Sequence, residues 1–143
     1  MKTKGAKPLP RRDHCAQLIT DNKYMLIYGG RNDHYYNRQP TQMKKSLKPQ
    51  MALDDIMLFD IENTTWIVVC QMGYRPEGRW SAAVSYEEST QQLFIFGGCG
   101  QTGTVQGTVY YCELNQKEVD RVKSKYRQTV DDVIKVTMKQ QNH

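Results

Sequence analysis

The residues of this 143-residue chain that could do chemistry are three histidines, four cysteines and two pairs of adjacent aspartates. His14, His34 and His143 stand far apart in sequence. Asp54-Asp55 and Asp131-Asp132 supply the carboxylate pairs that acid–base catalysis uses. The first opens a β pattern and the second falls on the polar face of a helical pattern, so both read as structural. Cys15, Cys70, Cys99 and Cys112 form no Cys-x-x-Cys pair and match no zinc spacing. Three of them lie in or beside apolar runs, as buried free thiols do in a reducing compartment. Gly97-Gly98-Cys99-Gly100-Gln101-Thr102-Gly103 is a glycine-rich loop without the Lys-Ser/Thr that a phosphate-binding loop requires. No catalytic residue, cofactor or metal ligand is expected, and the chain reads as a non-enzyme.

What remains is recognition chemistry, and it concentrates in one stretch. Residues 31–53 hold few aliphatic side chains and many polar ones. Loops of this length usually carry function or are disordered. Arg31, His34, Tyr35, Tyr36, Arg38, Lys44, Lys45 and Lys48 are its candidate contact residues, and the mixture of tyrosine and arginine suits a protein interface. Charge is uneven in the same sense. Residues 1–50 carry 11 Lys and Arg against 3 Asp, and residues 51–143 carry 9 against 12 acidic groups. The basic half reads first as a solvated basic tail and loop; as an interface it could face an acidic tail, a filament surface or, as the runner-up, a nucleic acid. No apolar window reaches 18 residues and the basic start lacks an apolar core, so neither a membrane span nor a secretory signal is expected.

The elements that position this loop repeat. Leu26-Ile27-Tyr28-Gly29-Gly30 and Phe94-Ile95-Phe96-Gly97-Gly98 are short apolar runs that stop at a glycine pair, 68 residues apart. Pro8 and Pro76, and Arg11 and Arg79, keep the same offset. Glycine reaches positive φ without steric cost and lets another backbone approach. Residues 1–10 read as a basic tail in which Pro8 and Pro10 block regular structure. Strands are expected over His14–Thr20, Tyr24–Tyr28, Asp54–Asp60 and Trp66–Cys70, then over Ala82–Tyr86, Leu93–Phe96 and Thr108–Leu114, all antiparallel. From Asn115 the apolar residues Val119, Val122, Tyr126, Val130 and Val133 step by 3 and 4, which predicts an amphipathic helix over 115–139 with Asn115 as its N-cap.

The combined pattern resembles kelch repeats. It is met in Arg11-x-x-His14-Cys15-Ala16, Gly29-Gly30, Asp54-Asp55, Phe59 and Trp66, then in Pro76, Arg79, Gly97-Gly98 and Tyr110-Tyr111. Ala82 replaces the expected histidine, and no tryptophan follows Tyr111 at the family spacing. The resemblance implies an all-β architecture of kelch-type β-propeller blades. About two are present, at 11–75 and 76–114, in an incomplete ring followed by the C-terminal helix. The second blade is expected to lack its outermost strand. Propellers need roughly four to eight blades, so the chain should belong to a larger ring, completed by protein partners or by copies of itself. An uncovered face of on the order of 500 Å² would be worth roughly 12 kcal/mol gross if covered. By resemblance, the function is a protein–protein interaction or scaffold module. The alternatives are acidic-surface or nucleic-acid contact and a piece of a propeller enzyme. The expected setting is intracellular and cytoplasmic, with cytoskeletal or ciliary attachment by analogy.

Overall fold

A computed structural model describes residues 1–33, 52–123 and 133–141. The first sheet contains β2 (Cys15–Ile19), β3 (Tyr24–Tyr28), β4 (Ile56–Asp60) and β5 (Thr65–Gly73), each antiparallel to the one before it. The second contains β7 (Ala83–Glu87), β8 (Gln92–Phe96) and β10 (Tyr110–Glu113), again antiparallel neighbours. Two-residue strands β6 (Arg79–Trp80) and β9 (Cys99–Gly100) pair with one another beside the second sheet. The architecture is all-β with kelch-type blades, as the repeat implies.

The chain's last described element differs from the sequence reading. The helix α1 begins after Asn115, whose side-chain oxygen accepts from Lys117 N at 2.8 Å, and it spans Gln116–Lys123. It does not run to 139. Ile134–Gln140 is a strand, β11, antiparallel to β10. The second blade therefore has its fourth strand after all, delivered from beyond the helix. The physical reason is in the residues. Ile134, Val136 and Met138 are buried while Lys135, Thr137 and Lys139 are exposed, a period of two that a helix cannot use. The expectation that Asp131-Asp132 lies on a helix face falls outside the described residues.

Pairing is also not purely antiparallel. β11 runs parallel to β5, with Ile134 opposite Val69 and Met138 opposite Gly73, and this ladder joins the two blades into one sheet. The tail contributes β1 (Lys4–Gly5), parallel to Thr65–Trp66 of β5. At the other seam β2 lies against β7 without a ladder. Thr20 N donates to the Glu88 carboxylate there at 2.7 Å, and Ser81 N to Asp13 O at 2.8 Å. The result is a nearly closed, barrel-like sheet.

Both blades surround one core, but they present opposite faces to it. From β3 the core takes Leu26 and Tyr28, and from β8 it takes Leu93 and Ile95. At the 68-residue offset, Leu93 and Ile95 match Met25 and Ile27, the other side of the first blade. Equivalent strands thus show alternate faces, which is how stacked blades of one repeat must meet. Val119 and Val122 of α1 are also buried in this core.

Replacing Ile134 by Ala should cost about 2–5 kcal/mol, the range for removing a fully buried aliphatic side chain. Replacing the exposed Lys135 should change stability by about 0.5 kcal/mol or less. Urea unfolding of the two variants checks the register of β11.

Candidate interaction surface at the Gly-Gly end

Each repeat opens with an arginine that holds its own glycine pair. The Arg11 guanidinium donates to Gly29 O at 3.0 Å and, through both terminal nitrogens, to the Asp55 carboxylate at 2.6 and 2.8 Å. Its side chain is 4% exposed. The Arg79 guanidinium donates to Gly97 O and Glu77 O, each at 3.2 Å, and lies 5.3 Å over the Tyr110 ring. Among the described residues it has no carboxylate partner. Strand register places Thr108 where Asp55 stands in the first blade, because Tyr110 faces Ile95 as Met57 faces Ile27. Arg79 is fully buried and its Nη2 makes no hydrogen bond.

The glycine pairs differ in what they receive. Gly30 N donates to Arg79 O at 2.9 Å, and Arg79 N donates to Leu53 O at 3.0 Å. The first strand of the second blade is thus stitched to the end of the first. Gly29 has φ 64°, and a Cβ there would stand 2.5 Å from Arg79 O, so only glycine fits. Gly97 has φ 70°, and nothing among the described residues lies within 4 Å of the same position.

Arg31 and Ala52, which flank the expected contact stretch, meet at this stitched end. Arg31 bridges Arg12 on one side and Ala52 on the other, and Leu53 N donates to Gly30 O at 2.8 Å. Both ends of the stretch between 31 and 52 are therefore pinned at one point. Ala52 N is further held by the Gln101 side chain at 2.8 Å. Around the Arg31 end, Asp33 accepts from Arg12 at 2.6 Å and from Arg31 at 2.8 Å, and the Arg31 guanidinium lies 4.9 Å over the Trp80 ring. Arg12 and Arg31 hold the Asp33 carboxyl below the ordinary aspartate value, and Asp33 raises Arg12 in turn. A shallow groove runs between Pro10, Arg11, Arg12, Arg31, Asn32 and Asp33.

Of the expected contact residues, only Arg31 lies among the described residues. His34, Tyr35, Tyr36, Arg38, Lys44, Lys45 and Lys48 lie outside them. The repeat-signature residues are all placed. Phe59 and Trp66 are opposite one another on adjacent strands with ring centroids 4.8 Å apart, and Phe94 and Tyr111 stack at 6.1 Å. His14 is exposed beside Gly30. Asp54 pairs with Arg75 at 2.8 Å, so both carboxylates of the Asp54-Asp55 pair are held by arginines. The thiols are free. Cys112 is buried and its burial raises its pKa to about 12; Cys15 is half-buried and raised to about 11 by the same cause. Cys70 is exposed, against the expectation of buried thiols. Sequence reasoning missed Asp33 and Trp80. The repeat offset, which sets Trp80 over Arg12, was the signal that could have found the second of them.

The model of the KLHDC2/KLHL20/DRC7 Kelch-repeats domain matches residues 1–124. The chain is 42% identical over 62 residues to the Rho GTPase-activating protein gacHH of Dictyostelium discoideum, covering 43% of this chain and 3% of that one. It is 26% identical to the flagellar outer-arm dynein alpha chain of Chlamydomonas reinhardtii, over 76% of this chain and 2% of that one. It is 28% identical to dynein regulatory complex subunit 7 of the same alga, over 66% of this chain and 7% of that one. The chain thus spans 2 to 7% of the length of these relatives. The solved structure of YjhT aligns with a TM-score of 0.49 at 16% identity, over 96% of this chain and 32% of that chain. Among the described residues no helix is long and apolar enough to cross a membrane.

Two outcomes are expected at this end of the molecule. Gly29→Ala and Gly97→Ala both place a side chain at positive φ, at about 1–2 kcal/mol each. Only Gly29→Ala also drives into a neighbouring carbonyl, and it should lose about 1–3 kcal/mol more in denaturant unfolding. Asp33 should titrate below the ordinary aspartate value by carboxyl NMR, and Arg12→Ala or Arg31→Ala should bring it back up. Because its folded pKa is depressed, the Arg12–Asp33–Arg31 clasp is in place at neutral pH and is lost as pH falls through that folded value.

Proposed function

The chain belongs to the KLHDC2/KLHL20/DRC7 kelch-repeats family, and from that premise we propose that it is a non-catalytic protein–protein interaction module, a partial propeller working inside a larger assembly. The observation that carries this reading is the pinning of the basic loop. Arg31 and Ala52, which flank that stretch, are bridged neighbours at the stitched end of the blades. Binding residues on loops held by a rigid sheet are the common arrangement in such folds. The loop carries Arg38, Lys44, Lys45 and Lys48 with His34, Tyr35 and Tyr36, a composition suited to an acidic protein surface. The arginine-held carboxylates Asp33, Asp54 and Asp55 serve structure rather than acid–base chemistry. The names of two relatives, a flagellar dynein chain and a dynein regulatory complex subunit, point to a cytoskeletal or ciliary setting.

Cosedimentation with polymerised tubulin, an acidic filament, tests this. The chain should bind, and the combined Lys44→Glu, Lys45→Glu and Lys48→Glu variant should bind at least about tenfold more weakly, as charge reversal at a steered interface does. Filament binding that is absent, or unchanged in the variant, would sink the reading. Binding to duplex DNA that falls steeply with salt would replace it with nucleic-acid contact.

A further inference from the structure

We propose that the Gly97-Gly98 end of the second blade is a socket for the leading strand of a second copy of this chain, so that copies add head to tail. The inference rests on reading the chain as an interaction module and names one partner for it. The template is inside the molecule. At the first socket, Gly30 N donates to Arg79 O and Arg79 N donates to Leu53 O. The second socket has the same parts. Gln106 N donates to Gly98 O at 2.9 Å, as Leu53 N does to Gly30 O, so Gln106 is the counterpart of Leu53. Gly98 N and Gln106 O make no hydrogen bond within the described chain. Arg11, the counterpart of Arg79, has its main-chain N–H and C=O equally unbonded. The head therefore offers one donor and one acceptor, and the tail offers one acceptor and one donor, at matching positions.

The side chains agree. Tyr28 lies buried at 0% exposure beside the occupied socket, while its counterpart Phe96 beside the empty one is 44% exposed. Tyr86, on the inner strand of the second blade, is 8% exposed, while its counterpart Leu18 at the head is 50% exposed. Docking Arg11 on Gly98 and Gln106 brings Leu18 toward the face that shows Phe96, as Tyr86 is buried in the core it shares with the first blade. The interface is heterologous, and such contacts close into a ring when the rotation permits. Two, three or four copies would make rings of roughly four to eight blades.

The test is solution mass by size exclusion with light scattering, from about 1 µM to about 1 mM chain. The wild-type mass should rise from 16.6 kDa to two, three or four times that value. Gly97→Asn is the tail variant. Asparagine tolerates the left-handed backbone, and nothing among the described residues meets its Cβ. An incoming Arg11 carbonyl would meet it as the Arg79 carbonyl would meet a Cβ at Gly29. Association should weaken at least tenfold with the circular dichroism spectrum unchanged. Leu18→Lys, the head variant, should do the same. Mixing the two variants leaves one intact head and one intact tail, and should restore a dimer. A wild-type chain that stays monomeric throughout overturns the proposal, as does association indifferent to both variants. A monomer that still binds polymerised tubulin overturns homotypic docking while leaving the interaction reading in place.

Discussion

One pair of hydrogen bonds orders the rest of this molecule, Gly30 N to Arg79 O and Arg79 N to Leu53 O. Arg79 belongs to the second blade and its partners to the first. The bonds need the two backbones to touch, and no side chain fits between them at Gly29. Given that contact, the second blade must lie over the first, and the alternate faces of the two repeats must meet. The shared core with Leu26 and Tyr28 on one side and Leu93 and Ile95 on the other follows from it. The glycine pair is thus less a turn than a place where one blade admits the next.

The opposite seam is closed by a different device. β11 pairs with β10 of its own blade and with β5 of the other, so a single strand removes two open edges. Exposed edges invite pairing with other chains, and filling both from one segment suppresses that. The arrangement has a kinetic side. β11 pairs with a strand that precedes it by more than sixty residues. Long-range parallel pairing of this kind forms late, because loop closure must precede the contacts that reward it. The ladder that joins the blades depends on the end of the described chain.

Much of this was legible in the residues. The 68-residue offset gave the two blades, the glycine pairs and the heading arginines, because turns and close approaches demand specific residue types. The sequence pattern predicts a helix at β11, although Ile134, Val136 and Met138 alternate with Lys135, Thr137 and Lys139. The steps of 3 and 4 ending at Val133 continued into it, and a short apolar segment satisfies either period until packing chooses. The parallel ladders were illegible for another reason. Which edges meet is a property of the assembled sheets, and no local pattern encodes it. The same holds for Arg31 on Trp80, which joins side chains 49 positions apart. In the candidate loop, Arg31 is the single contact residue whose surroundings are described. Its environment shows why arginine serves there: the planar cation covers an indole and still reaches Asp33.

The two heading arginines show where the molecule is least self-sufficient. Arg11 is buried to 4% exposure with a bidentate carboxylate, which meets the charge where it lies. Arg79 is fully buried with two carbonyls at 3.2 Å and a tyrosine ring, and its Nη2 has no partner. Burying a cation without a counter-charge is unfavourable, and a desolvated ring face offsets it by roughly 2 kcal/mol or more. The substitution that leads to this is Thr108 at the position of Asp55. The guanidinium of Arg79 holds Gly97 O, so the weaker anchor is the one beside the empty socket. The first blade, whose glycine pair is occupied, has the strong anchor; the second, whose pair stands open, has the weak one. In the first blade the incoming Arg79 O meets Gly30 N, next to the Gly29 carbonyl that Arg11 holds. The glycine pair that receives no further strand among the described residues is thus the one whose arginine has the weaker anchor.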